Sequence, residues 1–418
     1  MNSLLSDMPP QTSSAAHVAT PRRVVNVIAL AAWFLCLALI ARKTVFVRQR
    51  RDVDAHLSVD ATAAVEIALV AVACLLLISR PQLVNMLRSL RGTAAGWFTL
   101  MCGFGLLSSV WSPQPQYTAF QSVEVLSQTL LVLLGIGYCR SFADAEKNIL
   151  TVCSLCLMLD MAMVIKLNGL TFAPRLWHAN AYPACAAMIA CYCMAEFFGA
   201  TGERARRLFW VGMFAIFALA LGTSSSSIVS AAVGICLASL LLRGARWPLV
   251  ALIAILAVGA LLAPDTALEI LFPGKEGAQV TTMRGRTDMW AEFATYISER
   301  PIFGHGFAIG DRLNGGLATN THNSLLSVAL GMGAVGLMLF GATLLILARE
   351  AWKTLFTHCP GSAGVTCALV AGLLNCMTMA YLGEDWKTPS LVFVCFLMFH
   401  FMIVKRGLPL AMATPRQG

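Results

Sequence analysis

The chain has 418 residues, of which 58% are hydrophobic and 12% charged, and its formal net charge is +9. Soluble domains carry about 25% charged residues, so this composition excludes an ordinary soluble protein, and the length does not translate into two or three globular domains. The positive balance reads as loop charge that fixes membrane topology rather than as a nucleic-acid surface, and no nucleic-acid partner is expected.

Residues 1–21 are polar and rich in Ser, Pro and Ala, and read as a disordered cytoplasmic N-terminus. No cleavable signal follows them, so the first span is expected to be retained. Apolar runs then recur along the chain, each close to the roughly 20 residues that a transmembrane helix needs. Twelve spans are predicted: 24–41, 61–79, 93–110, 119–139, 148–166, 182–199, 208–222, 228–242, 247–263, 323–346, 361–382 and 388–404. The expected fold is an all-α polytopic membrane protein with about twelve transmembrane helices and a large periplasmic loop between spans 9 and 10. Residues 22–263 hold spans 1–9, 264–321 the loop, 322–406 spans 10–12, and 407–418 a cytoplasmic tail.

Orientation follows from Lys and Arg. With the N-terminus inside, the inner loops hold Arg80, Arg88 and Arg91; Arg140 and Lys147; Arg204, Arg206 and Arg207; Arg243 and Arg246; Arg349 and Lys353; and Lys405 and Arg406. The external turns 111–118, 223–227 and 383–389 read as nearly uncharged. One loop dissents: residues 42–60 place Arg42, Lys43, Arg48, Arg50 and Arg51 on the outside.

The long external connection has its own helix signal. Thr287 can cap it, Asp288 sits at its positive end and Pro301 stops it. Trp290, Phe293 and Ile297 share one face, which suits a helix lying along the membrane surface. A run of glycines, including Gly304, Gly306 and Gly310, follows.

Three acids lie inside spans: Glu66, Glu124 and Asp160. A charge in the hydrocarbon core costs about 2.5–3.5 kcal/mol on insertion scales, so each is a candidate for an acceptor site or cavity, unless a neighbour satisfies it locally. Cations gather at the same external level: Arg284 and Arg286 before the loop helix, and Arg175 just ahead of His178 and Asn180. Their planar forks match diphosphate oxygens; contact with phospholipid head groups is the blander reading. His322, followed by Asn323, begins span 10, where the helix dipole favours a neutral imidazole able to take a proton. A simple capping segment would look the same. Asp52 and Asp54 form a DxD in the first external loop and read better as a solvated turn than as a metal site. Cys153 and Cys156 match CxxC mid-span, where thiols act as small hydrophobes. Gly331, Gly333 and Gly336 match GxGxxG inside span 10 without a preceding strand. They read as small residues that let a neighbouring helix approach. No metal or other cofactor is expected.

At these residues the chain resembles the O-antigen ligase and polymerase family, the Wzy-type and ExoQ-type bacterial membrane proteins. The strings RGRTDMW, ISERPIFGHGF, HNSLL and GMGAVGLMLF follow one another in residues 284–340; weaker echoes are SSVWSPQP at 108–115, HANAYP at 178–183 and GTSSSS at 222–227. The resemblance implies a GT-C-like glycosyltransferase in the bacterial inner membrane with its site facing the periplasm. The donor would be an oligosaccharide on undecaprenyl diphosphate and the acceptor a glycan or lipid A core. Chain-length regulator and export proteins are the implied partners beside the bilayer. The family's chemistry is metal-independent. By position, Arg286 and Trp290 belong to the loop motif, and His322 with Asn323 to the catalytic pair. Many relatives carry an Arg or Lys within the serine segment; this chain has only Ser224 to Ser227. GRTDMW resembles the exopolysaccharide branch, which favours a repeat-unit polymerase over an O-antigen ligase. A transporter is the alternative of another class, but no inverted repeat supports it.

Overall fold

A computed structural model describes residues 22–45, 61–139, 141–168, 180–222, 224–241, 286–310, 312–313, 321–356, 359–384 and 386–405. Among these residues the regular structure is entirely helical: α1 (Arg22–Val45), α2 (Ala61–Ile78), α3 (Gln82–Ser89), α4 (Ala94–Leu107), α5 (Pro115–Gly137), α6 (Phe142–Asn168), α7 (Ala181–Phe197), α8 (Gly202–Leu221), α9 (Ser225–Leu241), α10 (Arg286–Glu299), α11 (Ser324–Phe356), α12 (Ser362–Cys376) and α13 (Thr388–Val404). Eleven of the twelve expected spans coincide with helices; the expected span 247–263 lies outside the described residues. Among the described residues four helices are long and apolar enough to cross a membrane: Val27–Val45, Pro115–Gly137, Phe142–Lys166 and Ser324–Phe356. Helices α2 and α3, bent by 88° at a short break, make a fifth if counted as one span.

The helices sort by where they bury. α7 and α13 are buried on nearly every face, the pattern of a helix at the centre of a bundle. α7 packs on α8, α9 and α12, and α13 on α5, α6, α7 and α12. Small residues permit these approaches: a Cβ on Gly234 of α9 would stand 2.4 Å from Cys191 Sγ of α7. The outer helices turn large apolar side chains outward, such as Leu75 and Ile78 on α2, Trp210 on α8 and Leu345 on α11. An exposed apolar belt around a buried centre suits a lipid environment.

α3 lies where the charge pattern predicts an inner loop. It is only eight residues long, starts just after Pro81, and buries Leu83 and Met86 while exposing Arg88. At the same end, the expected inner-loop arginines have protein partners. Arg204 donates to Glu146 Oε1 at 2.7 Å and to Glu196 Oε2 at 2.8 Å, and Arg207 donates to Glu146 Oε2 at 2.9 Å. Tyr192 donates to Glu146 at 2.6 Å, and the Gly364 amide donates to Glu196 at 2.9 Å. This network fastens α6, α7, α8 and α12 at the end opposite His322.

Candidate functional site

The site is built around a break in α11. At Gly333 the backbone leaves the helix (φ 60°, ψ −155°), a combination open in practice only to glycine. The break frees main-chain groups, and the segment 301–306 takes them up. His305 and Gly306 amides donate to the carbonyls of Leu330 (2.9 Å) and Gly331 (2.8 Å), while Ala334 and Val335 amides donate to Pro301 (2.8 Å) and Ile302 (3.2 Å). No side chain fits between the two backbones: a Cβ on Gly333 would lie 2.4 Å from the Ile302 main chain, and one on Gly304 2.5 Å from that of Gly331. Of the glycines expected to admit a neighbouring helix, Gly331 and Gly333 therefore admit non-helical chain instead, while Gly336 faces Met332 and Val328 of its own helix.

The far side of that segment meets the turn after α4. The Trp111 indole donates to the Phe303 carbonyl at 3.1 Å, Arg300 donates to the Trp111 carbonyl at 3.0 Å, and the Phe307 amide donates to Ser108 Oγ at 2.9 Å. Arg312 stacks 3.7 Å above the Tyr117 ring and donates to Gln114. The strings at 108–115 and 300–307, far apart in the chain, thus form one structure.

The loop helix α10 begins at Arg286, one residue before the expected cap at Thr287, and ends at Glu299 ahead of Pro301. Its expected apolar face is real: Phe293 is 2% exposed. That face packs on α11 rather than lying free along a membrane surface. Trp290 donates its indole N–H to the carbonyl of Thr321 at 2.9 Å. Arg286 lies one helical turn before Trp290, whose bond to Thr321 ties α10 to the residue just before His322.

His322 is the partly exposed member of the run from Thr321 to Ser324; its neighbours are buried. It lies just outside α11 with φ 51°, a left-handed conformation uncommon for a non-glycine residue. Asn323, not His322, caps the helix: its Oδ1 accepts from the amides of Leu325 (2.8 Å) and Leu326 (3.2 Å), and its Nδ2 donates to the Met377 carbonyl at 3.2 Å. Thr321 Oγ1 lies 2.9 Å from Glu384 Oε1, and Ser327 donates to the same oxygen at 2.7 Å. Lys387 Nζ stands 3.5 Å from Glu384 Oε2. Thr321, Ser327, Glu384 and Lys387 are not among the residues expected from sequence, where the turn 383–389 reads as nearly uncharged; an acid in a short turn between two spans is the signal for them.

The three acids expected inside spans each have a partner. Arg42 pairs with Glu66, and Lys43 bridges Glu66 (3.8 Å) and Glu124 (2.6 Å). Gln128 donates to Glu124 at 3.3 Å, and Asp160 accepts from Thr388 at 2.9 Å. Two cations that broke the expected charge rule are therefore the last-turn residues of α1 that satisfy acids of α2 and α5. Arg48, Arg50, Arg51, Asp52 and Asp54 lie outside the described residues, as do Arg175, His178 and Arg284. Asn180 stands half-buried at the start of α7. The serine segment closes on itself and on α12: Ser224 bonds Ser227 at 3.0 Å, and Ser227 donates to Asn375 at 2.9 Å. A Cβ on Gly222 would lie 2.6 Å from Pro183, so the strings at 178–183 and 222–227 also meet. Among the described residues no group of three or more His, Cys, Asp or Glu is placed to hold a metal ion.

Residues 210–341 match a family model described as O-Antigen ligase. An O-antigen ligase of Pseudomonas aeruginosa is 30% identical over 183 residues, a match covering 40% of this chain and 43% of that protein. Over these residues the chain is similar to the O-antigen ligase family, and it spans under half the length of the relative it matches. The region matched by the O-antigen ligase model begins inside α8 and ends inside α11, so it takes in the serine segment, α10, His322 and the break at Gly333. The strings at 108–115 and 178–183 fall outside it, yet the fold joins each to a string within it.

Proposed function

We propose that this chain is a membrane glycosyltransferase that moves a glycan from a lipid diphosphate to an acceptor hydroxyl, and that it acts as an O-antigen ligase with a lipid A core acceptor. The observation that carries the reading is His322, half-exposed between buried anchors and tied to the helix that starts at Arg286. In the reaction His322 takes the acceptor hydroxyl's proton while that oxygen attacks the anomeric carbon. The bond from carbon to diphosphate oxygen breaks, and the lipid diphosphate leaves with both electrons. Arg286 and Arg284, with Arg175 as a third candidate, meet the charge on the leaving group, as fixed cations do where charge develops. The proposal places about twelve spans in the inner membrane and residues 264–321 in the periplasm. Undecaprenyl diphosphate is the proposed carrier.

A ligase is favoured because both comparisons are described as O-antigen ligases. The second reading is a repeat-unit polymerase, favoured by GRTDMW at 285–290. Purified protein given a lipid-diphosphate-linked glycan and either lipid A core or a second glycan separates them by product. His322→Ala should lower transfer by about 10²–10⁴, the usual worth of a general base, with donor binding retained. His322→Gln should fail equally, and near-native turnover in either variant rejects the base. Transfer should also survive EDTA; loss restored by Mg²⁺ would reject the arginine-only account of the leaving group.

A further inference from the structure

A cavity of about 430 Å³ lies at the end opposite His322, where α1 and α6 begin and α5 ends. The residues that give it chemistry are Leu30 and Trp33 of α1, Tyr138 after α5, and Asp144, Lys147 and Asn148 of α6. Trp33 is 6% exposed and sits against Gly135, where a Cβ would stand 2.6 Å from its ring. Its indole N–H has no hydrogen-bond acceptor among the described residues. A buried donor without an acceptor costs about 1–3 kcal/mol, so this one calls for an acceptor atom from outside those residues.

Two further features say what brings that atom. Asp144 and Lys147 are exposed, lie three residues apart on one face of α6, and form no ion pair among the described residues. The cavity thus presents together an anion and a cation that have no ion-pair partner among the described residues. Beside it, Leu30 belongs to an outward apolar stripe of α1 made by Val27 (64% exposed), Leu30 (69%) and Phe34 (66%). The stripe leads from the polar residues toward the middle of the helix.

We propose that this cavity binds a phospholipid with a phosphoethanolamine headgroup. The phosphate meets Lys147, the ammonium meets Asp144, an ester or phosphate oxygen accepts from Trp33, and an acyl chain follows Leu30 and Phe34. Charge complementarity selects this lipid over a phosphoglycerol one, which carries the phosphate without the ammonium and leaves Asp144 facing net negative charge. The proposal does not depend on the glycosyltransferase reading.

The test is native mass spectrometry of the delipidated full-length protein, titrated separately with phosphatidylethanolamine and phosphatidylglycerol. One phosphatidylethanolamine should be retained at least about tenfold more tightly than phosphatidylglycerol, about one charged hydrogen bond's difference. Lys147→Ala should weaken it by about tenfold. Trp33→Phe, which keeps the ring and loses the N–H, should weaken it severalfold. Asp144→Lys should reverse the preference toward phosphatidylglycerol. Asp144 and Lys147 are exposed, so their variants should fold and melt as the native protein does. Absence of a retained lipid, equal retention of the two lipids, or Lys147→Ala binding like the native chain overturns the proposal.

Discussion

Replacing Gly333 by Ala should disrupt the docking of the segment 301–306 on α11. Two effects add. The backbone at φ 60° and ψ −155° is disfavoured for any residue with a Cβ, by about 1–3 kcal/mol. The new methyl would also stand 2.4 Å from main-chain atoms of Ile302, which no side-chain rotation can relieve. The segment must then move, and four main-chain hydrogen bonds join it to α11. At about 0.5–1.5 kcal/mol net each, their loss sets a ceiling of about 2–6 kcal/mol. Gly341, in the same helix, has nothing within 4 Å of a built Cβ, so Gly341→Ala should leave stability unchanged or raise it by about 0.5–1 kcal/mol. Thermal unfolding in detergent, with protease sensitivity near Phe303 as a local probe, measures both. Gly333→Ala should also lose glycan transfer, because α10 and its Trp290 bond to Thr321 follow the displaced segment. A Gly333→Ala protein as stable and protease-resistant as Gly341→Ala would refute the inserted-segment account.

Arg204→Ala should destabilise the bundle by up to about 3–5 kcal/mol, the range for removing one partner of a buried pair, reduced because Arg204 is itself 27% exposed; a melting temperature within a degree of native would contradict this. Lys43→Met should destabilise through the unpaired Glu124 carboxylate, and Glu124→Gln added to it should recover most of the loss; a double variant no better than the single would mean that the pair is not what Lys43 supports.

The helices were legible because apolar runs of near-span length leave few alternatives. α3 was not, since eight residues beside a proline carry too short a period to separate from a loop. The amphipathic face of α10 could be read from Trp290, Phe293 and Ile297, but periodicity does not say whether lipid or protein covers it; here α11 does. Likewise Gly331 and Gly333 announce a close approach without naming what approaches. The charge rule failed at Arg42 and Lys43 for a physical reason: it counts cations as though each faced water, whereas these two meet acids on α2 and α5. The same habit of counting hid Glu384. His322 was singled out by its place after the long loop, while the bonds that hold its neighbours join residues about thirty to sixty positions apart and leave no local mark.

Those bonds bear on why His322, rather than an adjacent residue, is the candidate base. A proton acceptor must be reached by substrate and held still, requirements that oppose each other on a loop. Here they are divided among neighbours. Thr321 is held by Trp290 through its carbonyl and sits against Glu384 through its hydroxyl. Asn323 spends its side chain on the helix cap and on Met377. Ser324 donates to the Met379 carbonyl and accepts from the amides of Tyr381 and Leu382. Each neighbour is buried and bonded, which leaves His322 as the partly exposed member of the run. The left-handed backbone of His322 is sustained from both sides by these contacts, as strained residues at functional sites generally are. The turn carrying Glu384 and Lys387 is therefore joined to the residues on either side of His322, since its acid is taken up by Thr321 and Ser327, and on the proposed reading it acts by holding that backbone in place.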